Sequence, residues 1–174
     1  MITLVCGPMF AGKTNFLIDL YNKGPSLALK PLVDTRYFNN AIVSHSGKHV
    51  KATTVARLAQ VERPEAPTLA VLIDEGQFFE DLVPQCIKFS QEWKLRVYVA
   101  ALNGTYDQKP WPVISALLPY CDDVIFITAT CDTCGRPGAA FTRRRDPAPK
   151  NAATIDIGGH EKYRVLHQRC FHEL

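Results

Sequence analysis

Short apolar runs punctuate the chain at 2–6, 26–30, 69–73, 95–100 and 123–128. Each is continuous rather than alternating, the pattern of strands buried on both faces of a parallel sheet. Helical spacing falls between them. It is clearest over 79–93, where Phe79, Leu82, Val83, Cys86, Phe89 and Trp93 recur on one face. Pro84 suits that helix if it lies in the first turn and kinks it otherwise. The pattern also predicts a helix over 14–22, a weaker one near 54–60 and a short one over 112–118. Alternating strand and helix predicts an α/β fold with right-handed crossovers. Polar stretches at 31–50, 103–112 and 142–160 read as loops. The last is too long for an idle connection and reads as a lid or binding loop. There are no internal repeats, heptads or low-complexity tracts.

Composition narrows the class. With 174 residues, 47% hydrophobic and 21% charged, one soluble domain with room for a small appendage is expected. A net charge of +3 is too weak to argue for nucleic acid or a membrane surface, although it suits an anionic ligand locally. No apolar stretch approaches a membrane span, and the N-terminus lacks a basic region and cleavage site, so a cytoplasmic location is expected. Of the six cysteines, Cys6, Cys86 and Cys121 lie in apolar surroundings and read as small buried hydrophobes.

The first run leads into Gly7-Pro8-Met9-Phe10-Ala11-Gly12-Lys13-Thr14, a G-x-x-x-x-G-K-[ST] phosphate loop placed between a strand and a helix as the motif requires. Glycines let backbone N–H groups close on phosphate oxygens, and the helix N-terminus adds a favourable dipole. Lys13 is expected on the β- and γ-phosphates and Thr14 on Mg²⁺. The run at 69–73 ends in Asp74-Glu75. Asp74 is expected near Mg²⁺. Glu75 reads either as the base for an acceptor hydroxyl or as a cap for the following helix.

Cys131-x-x-Cys134 and His167-x-x-Cys170 form two knuckles that together offer three thiolates and one imidazole to a structural Zn²⁺. A redox C-x-x-C, His172 in place of His167, and a metal-free histidine are the alternatives at this point.

Taken together, the phosphate loop, Asp34-Thr35-Arg36-Tyr37, Ile73-Asp74-Glu75-Gly76-Gln77-Phe78-Phe79, Val99-Ala100-Ala101-Leu102-Asn103-Gly104-Thr105, Lys109-Pro110 and Ile157-Gly158-Gly159 closely resemble the type II thymidine kinases, the small cellular, bacterial and poxviral class. The match runs in order from residue 2 to about 171. The resemblance implies a P-loop (RecA-like), mainly parallel α/β sheet over 1–128. It implies a small zinc-bound C-terminal subdomain with a lasso loop over 129–174. It further implies transfer of the ATP γ-phosphate to the 5′-hydroxyl of thymidine, with deoxyuridine as a further acceptor.

Carried over by residue, Glu75 matches the general base. Lys13 and Thr14 match phosphate and Mg²⁺ residues. Asp34 and Arg36 match a pair near the phosphates, with Arg36 on developing charge. Met9, Phe78, Leu102, Tyr106, Trp111, Thr142 and Tyr163 match the nucleoside pocket, and backbone groups at Asp156, Ile157 and Gly158 match the lasso's contacts with the thymine ring. Cys131, Cys134, His167 and Cys170 match zinc ligands. A homotetramer and feedback inhibition by thymidine triphosphate are also implied. The chain departs from the family pattern at Asn103, usually Asp, at Tyr106 and Trp111, commonly Phe, and at His167, more usually Cys. The departures at Tyr106 and Trp111 leave a kinase of another deoxynucleoside as an alternative, and the phosphate loop alone leaves an ATPase or nucleotide switch.

Overall fold

The computed structural model describes residues 1–34, 40–44, 47–65, 67–146 and 157–173. Its sheet strands begin with β1 (Ile2–Gly7) and β2 (Ser26–Pro31). A hairpin of β3 (Ala41–Val43) and β4 (His49–Lys51) follows, then β5 (Thr53–Val55), β6 (Ala70–Ile73), β7 (Arg96–Leu102) and β8 (Asp123–Phe126). Among the described residues the main sheet has six strands in the order β5-β2-β6-β7-β1-β8, with every neighbouring pair parallel. The phosphate-loop strand therefore lies inside the sheet, and the α/β expectation is borne out.

The sheet is covered on both faces, which is why its inner strands read as unbroken apolar runs. On one face Leu4, Val71, Ile73, Val97, Val99 and Ala101 pack against the elements that follow β6 and β7. These are α2 (Leu82–Ile87) and α3 (Pro112–Leu117), whose first residue is a proline where no N–H is needed. On the other face small residues, Ala28, Ala70 and Ala100, admit the Leu17 and Ile18 side chains of α1 (Lys13–Tyr21). Ile42 and Val50 of the hairpin join that layer.

Four expectations are corrected. The weak helix near 54–60 is a strand followed by a single 3-10 turn, Leu58–Gln60. Thr53, Thr54 and Val55 are β-branched and pair with β2, and the Gln60 side chain accepts from the Ala56 and Arg57 amides at 3.1 Å each. The stretch 31–50 is more than a loop, because Ile42 and Val50 supply enough apolar surface to dock the hairpin. The 142–160 stretch opens within a strand, because Phe141–Arg144 pairs with Tyr163–Leu166. The 79–93 helix is shorter than its pattern. α2 starts at Leu82 with Pro84 in the first turn, and Lys88–Glu92 widens into a π-helix in which the Trp93 amide reaches the Lys88 carbonyl at 3.1 Å.

The C-terminal segment builds a smaller unit. It contains β9 (Ala129–Thr130) paired with β10 (Pro137–Ala139), β11 (Phe141–Arg144) paired with β12 (Tyr163–Leu166), and α4 (Gln168–His172). Its own apolar cluster is Cys131, Ala139, Val165, Leu166 and Cys170. Residues 147–156, the middle of the expected lasso, lie outside the described residues.

The main core rests heavily on Phe89, fully buried with its ring 4.5 Å from that of Trp93. Phe89→Ala is expected to lower unfolding free energy by about 3–5 kcal/mol, measured by denaturant titration.

Candidate functional site

The phosphate loop leaves β1 through a narrow exit. A side chain at Gly7 would overlap the Ile127 carbonyl, so only glycine fits there. The Gly7 carbonyl accepts from the Asn103 amide and the Cys6 carbonyl from the Ile127 amide, at 3.3 and 2.8 Å. Gly12, in the left-handed region at φ 92°, turns the chain into α1. Lys13 is buried, and its ammonium donates to the Pro8 carbonyl at 2.6 Å, which curls the loop around it. The loop's first-turn amides are thus gathered at a helix N-terminus, a favourable seat for an anion.

The adjacent strand end contributes acid. The Thr14 hydroxyl lies 3.4 Å from both carboxylate oxygens of Asp74. Glu75 follows with φ 51°, an uncommon conformation for a residue of its size. It is supported from the next residues. A Cβ on Gly76 would come within 2.5 Å of Val99 Cγ1, so the chain must turn on glycine. The Leu102 amide donates to Gln77 Oε1 at 3.2 Å, which turns Gln77 Nε2 onto Glu75 Oε2 at 2.6 Å. The Glu75 side chain is therefore aimed by the end of β7 through Gln77, and it accepts no cap hydrogen bond from the 3-10 turn Gly76–Phe78.

A single cavity joins these residues to the expected ring-binding groups. Met9, Phe10, Gly12, Lys13, Thr14, Asp34, Asp74 and Glu75 line it. So do Phe78, Leu102, Tyr106, Trp111, Thr142, Ile157, Gly158 and Tyr163. Gly7, Pro8 and Ala11 shape the loop without lining the cavity. Arg36 and Asp156 lie outside the described residues. Phe78 and Trp111 meet edge to face with centroids 5.8 Å apart, and Tyr106 and Tyr163 lie 6.3 Å apart. The loop carrying Tyr106 is tied by Thr105, whose hydroxyl donates to Asp107 at 2.6 Å and accepts from the Lys109 amide at 2.9 Å. The Lys109 and Thr105 side chains hold the Asp107 carboxyl below its ordinary range.

Several contributors escaped the sequence reading. Gln77 was legible only as part of a motif. Its signal was a polar residue directly after an acid pair at a strand end. Lys30, buried on the cavity wall 3.9 Å from Asp34, was marked by a lysine closing an apolar strand. Ile42, Val43 and Ser44 reach the cavity from the unpredicted hairpin.

The second centre lies in the C-terminal unit. Ligand atoms of Cys131, Cys134, His167 and Cys170 all fall within 4.8 Å of one another. Tetrahedral thiolates on Zn²⁺ sit about 3.8 Å apart, given Zn–S bonds near 2.3 Å. The His167 Nε2 faces the Pro137 carbonyl at 2.9 Å, and donation there leaves Nδ1 to face Cys134 Sγ at 3.2 Å. This is the outer hydrogen bond that fixes the tautomer of a metal-bound histidine. Burial opposes ionisation of Cys131. Backbone N–H groups of Cys134, His167 and Thr133, with the Cys134 side chain, outweigh it and bring the thiol to about 6. Burial, reinforced by the Cys131 and Cys134 side chains, pushes Cys170 up to about 11. Three thiolates this close ionise together only around a cation, so the donor set fits Zn²⁺. His172 pairs with Gln168 at 2.7 Å instead of joining the set. Burial pushes Cys6 and Cys86 up, and Cys121 likewise, in keeping with packing rather than reactivity.

The fold and the site define a phosphate-loop α/β protein with an appended three-cysteine, one-histidine centre. Comparison with known proteins narrows the class. A family model described as thymidine kinase matches residues 1–171. The chain is 34% identical over 182 residues to the thymidine kinase of Thermococcus kodakarensis, covering 97% of this chain and 91% of that protein. It is 35% identical over 176 residues to the thymidine kinase of Myxoma virus (strain Uriarra), covering 98% and 95%. It is 34% identical over 178 residues to that of African swine fever virus (isolate Pig/Kenya/KEN-50/1950), covering 97% and 92%. The chain belongs to the thymidine kinase family, whose members are ATP-dependent phosphotransferases.

Metal analysis of the purified protein is expected to find about one zinc per chain. Cys170→Ser should lose that zinc and unfold the C-terminal unit at lower temperature. Zinc-free protein with unchanged thermal stability would remove the metal from the fold.

Proposed function

We propose that the protein transfers the γ-phosphate of ATP to the 5′-hydroxyl of thymidine, with deoxyuridine as a second acceptor, in a Mg²⁺-dependent reaction. The observation that carries this reading is the shared cavity, which the phosphate loop, the Glu75 carboxylate and an aromatic slot all line. Loop amides and Lys13 bind the β- and γ-phosphates. Thr14 and Asp74 would hold the Mg²⁺, which would supply neutralisation of phosphate charge. Asp34 and Arg36 stand by the phosphates, with Arg36 on the charge that develops in transfer. Glu75 accepts the proton of the 5′-hydroxyl as its oxygen bonds to the γ-phosphorus and the bond to the ADP leaving oxygen breaks.

The acceptor base lies among Met9, Phe78, Leu102, Tyr106, Trp111, Thr142 and Tyr163. Backbone groups at Asp156, Ile157 and Gly158 read its imide edge. We divide the chain into a nucleotide-binding core over 1–128 and a zinc and nucleoside-binding unit over 129–174, in line with their separate apolar clusters. Thymidine triphosphate acts as feedback inhibitor, its phosphates taking the donor seat. The enzyme works in the cytoplasm. Among the described residues no helix is long and apolar enough to cross a membrane.

The protein assembles as a homotetramer. The edge strand β8 supports this, since it exposes Val124 and Phe126, and the turn that precedes it in the chain exposes Leu118 and Tyr120. Light scattering is expected to give four times the 19.4 kDa chain mass. A monomer would leave that apolar edge without its self-association role.

A panel of nucleosides with labelled ATP is expected to show transfer to thymidine and deoxyuridine. Transfer to deoxycytidine or purine deoxynucleosides alone would instead make the chain a different deoxynucleoside kinase, and hydrolysis indifferent to nucleosides would make it an ATPase. Glu75→Gln should keep ATP binding and lose about 10²–10⁴ in turnover. Turnover near that of the parent would remove Glu75 from the role of base.

A further inference from the structure

The C-terminal unit holds the tip of the phosphate loop. The Met9 amide donates to the buried Thr142 hydroxyl on β11 at 3.0 Å. Met9 and Phe10 pack against the cluster of Cys131, Ala139, Val165, Leu166 and Cys170. The Phe10 ring stacks on His160 with centroids 3.5 Å apart and planes within 14°. Phe10 has φ 60°, the left-handed region that a bulky residue rarely keeps unsupported.

His160 is well placed to support it. Its carbonyl accepts from Arg145 Nε at 2.6 Å. The turn around it closes where the Lys162 and Tyr163 amides donate to the Gly159 carbonyl at 3.1 and 3.0 Å. Lys162 Nζ donates to the Ile157 carbonyl at 2.9 Å, joining the same turn to the cavity-lining backbone. The imidazole is thus a fixed plate against one face of Phe10, presented by a turn two residues beyond Gly158.

We infer that His160 is a positioning residue for the triphosphate: stacked on Phe10, it keeps the phosphate loop in its binding shape from the acceptor side of the cavity. The inference rests on reading residues 7–14 as the nucleotide seat. It adds a residue that lies outside the cavity lining and acts through Phe10. It also makes the two substrate seats mechanically continuous, because the turn that carries His160 is bonded to Ile157.

The test is calorimetric titration of the parent and variants with a non-hydrolysable ATP analogue and Mg²⁺, without nucleoside. An aromatic stack of this kind corresponds to an affinity change of about 3- to 10-fold. His160→Ala is expected to weaken analogue binding by about that factor, with zinc content and unfolding midpoint unchanged. His160→Phe, which restores a flat ring, should bind within about twofold of the parent.

A double-mutant cycle with Phe10→Ala should show overlapping rather than additive losses. Should His160→Ala fail to fold, His160→Phe and His160→Leu compared directly give the same contrast between flat and branched partners. Parent-like affinity of the His160→Ala or His160→Leu protein, or additive losses in the cycle, would overturn the inference while leaving the nucleotide seat intact. A parent protein that binds no analogue would overturn both.

Discussion

The exit of β1 is the constraint on which the rest of the molecule depends. Backbone at Gly7 passes so close to the Ile127 carbonyl that no side chain is tolerated, and hydrogen bonds from Asn103 and Ile127 fasten the strand end on both sides. That exit is rigid because β1 is an inner strand, fully buried from Ile2 to Gly7 and paired with β7 and β8 in register. The loop beyond it opens at the carboxyl edge of the sheet, between β7 and β8, and its Thr14 reaches Asp74 at the end of β6. Parallel strands share one carboxyl edge, so the acid residues after β6 arrive at the same place without any further device.

At that edge the structure accepts local conformational cost. Glu75 and Phe10, both outside glycine's usual monopoly of positive φ, sit on the walls of the cavity. Such conformations persist when the surroundings over-determine them. Around Glu75 the determinants are a glycine that meets Val99 and a glutamine oriented by the Leu102 amide. Around Phe10 they are an imidazole plate and an apolar cluster contributed from the far end of the chain. The two strained residues are held by different elements, and the donor and acceptor sides of the cavity meet between them.

The Cys/His centre acquires a second meaning in this light. Two of its thiols, Cys131 and Cys170, are part of the small cluster on which Met9 and Phe10 rest. A unit too small to bury much surface needs a staple to keep its shape. The staple's benefit extends to the phosphate loop, because the loop's tip uses that unit as its floor.

The phosphate loop, Asp74-Glu75 and both knuckles were legible in the sequence because their chemistry depends on fixed local spacing. The inner strands were legible because burial on both faces leaves an unbroken apolar signature. Strand β5 was not. Thr53-Thr54-Val55 becomes a strand only by pairing with β2, a contact that no local window contains. The β3–β4 hairpin likewise exists because Ile42 and Val50 find the face of α1. The aim of Glu75 through Gln77 and the stack of Phe10 on His160 depend on residues brought together by strand order and turns. The sequence alone determined which groups could do the chemistry. Only the tertiary structure decided which neighbours hold them, because those contacts span 25 residues from Gln77 to Leu102 and 133 from Met9 to Thr142, with no local periodicity to announce them.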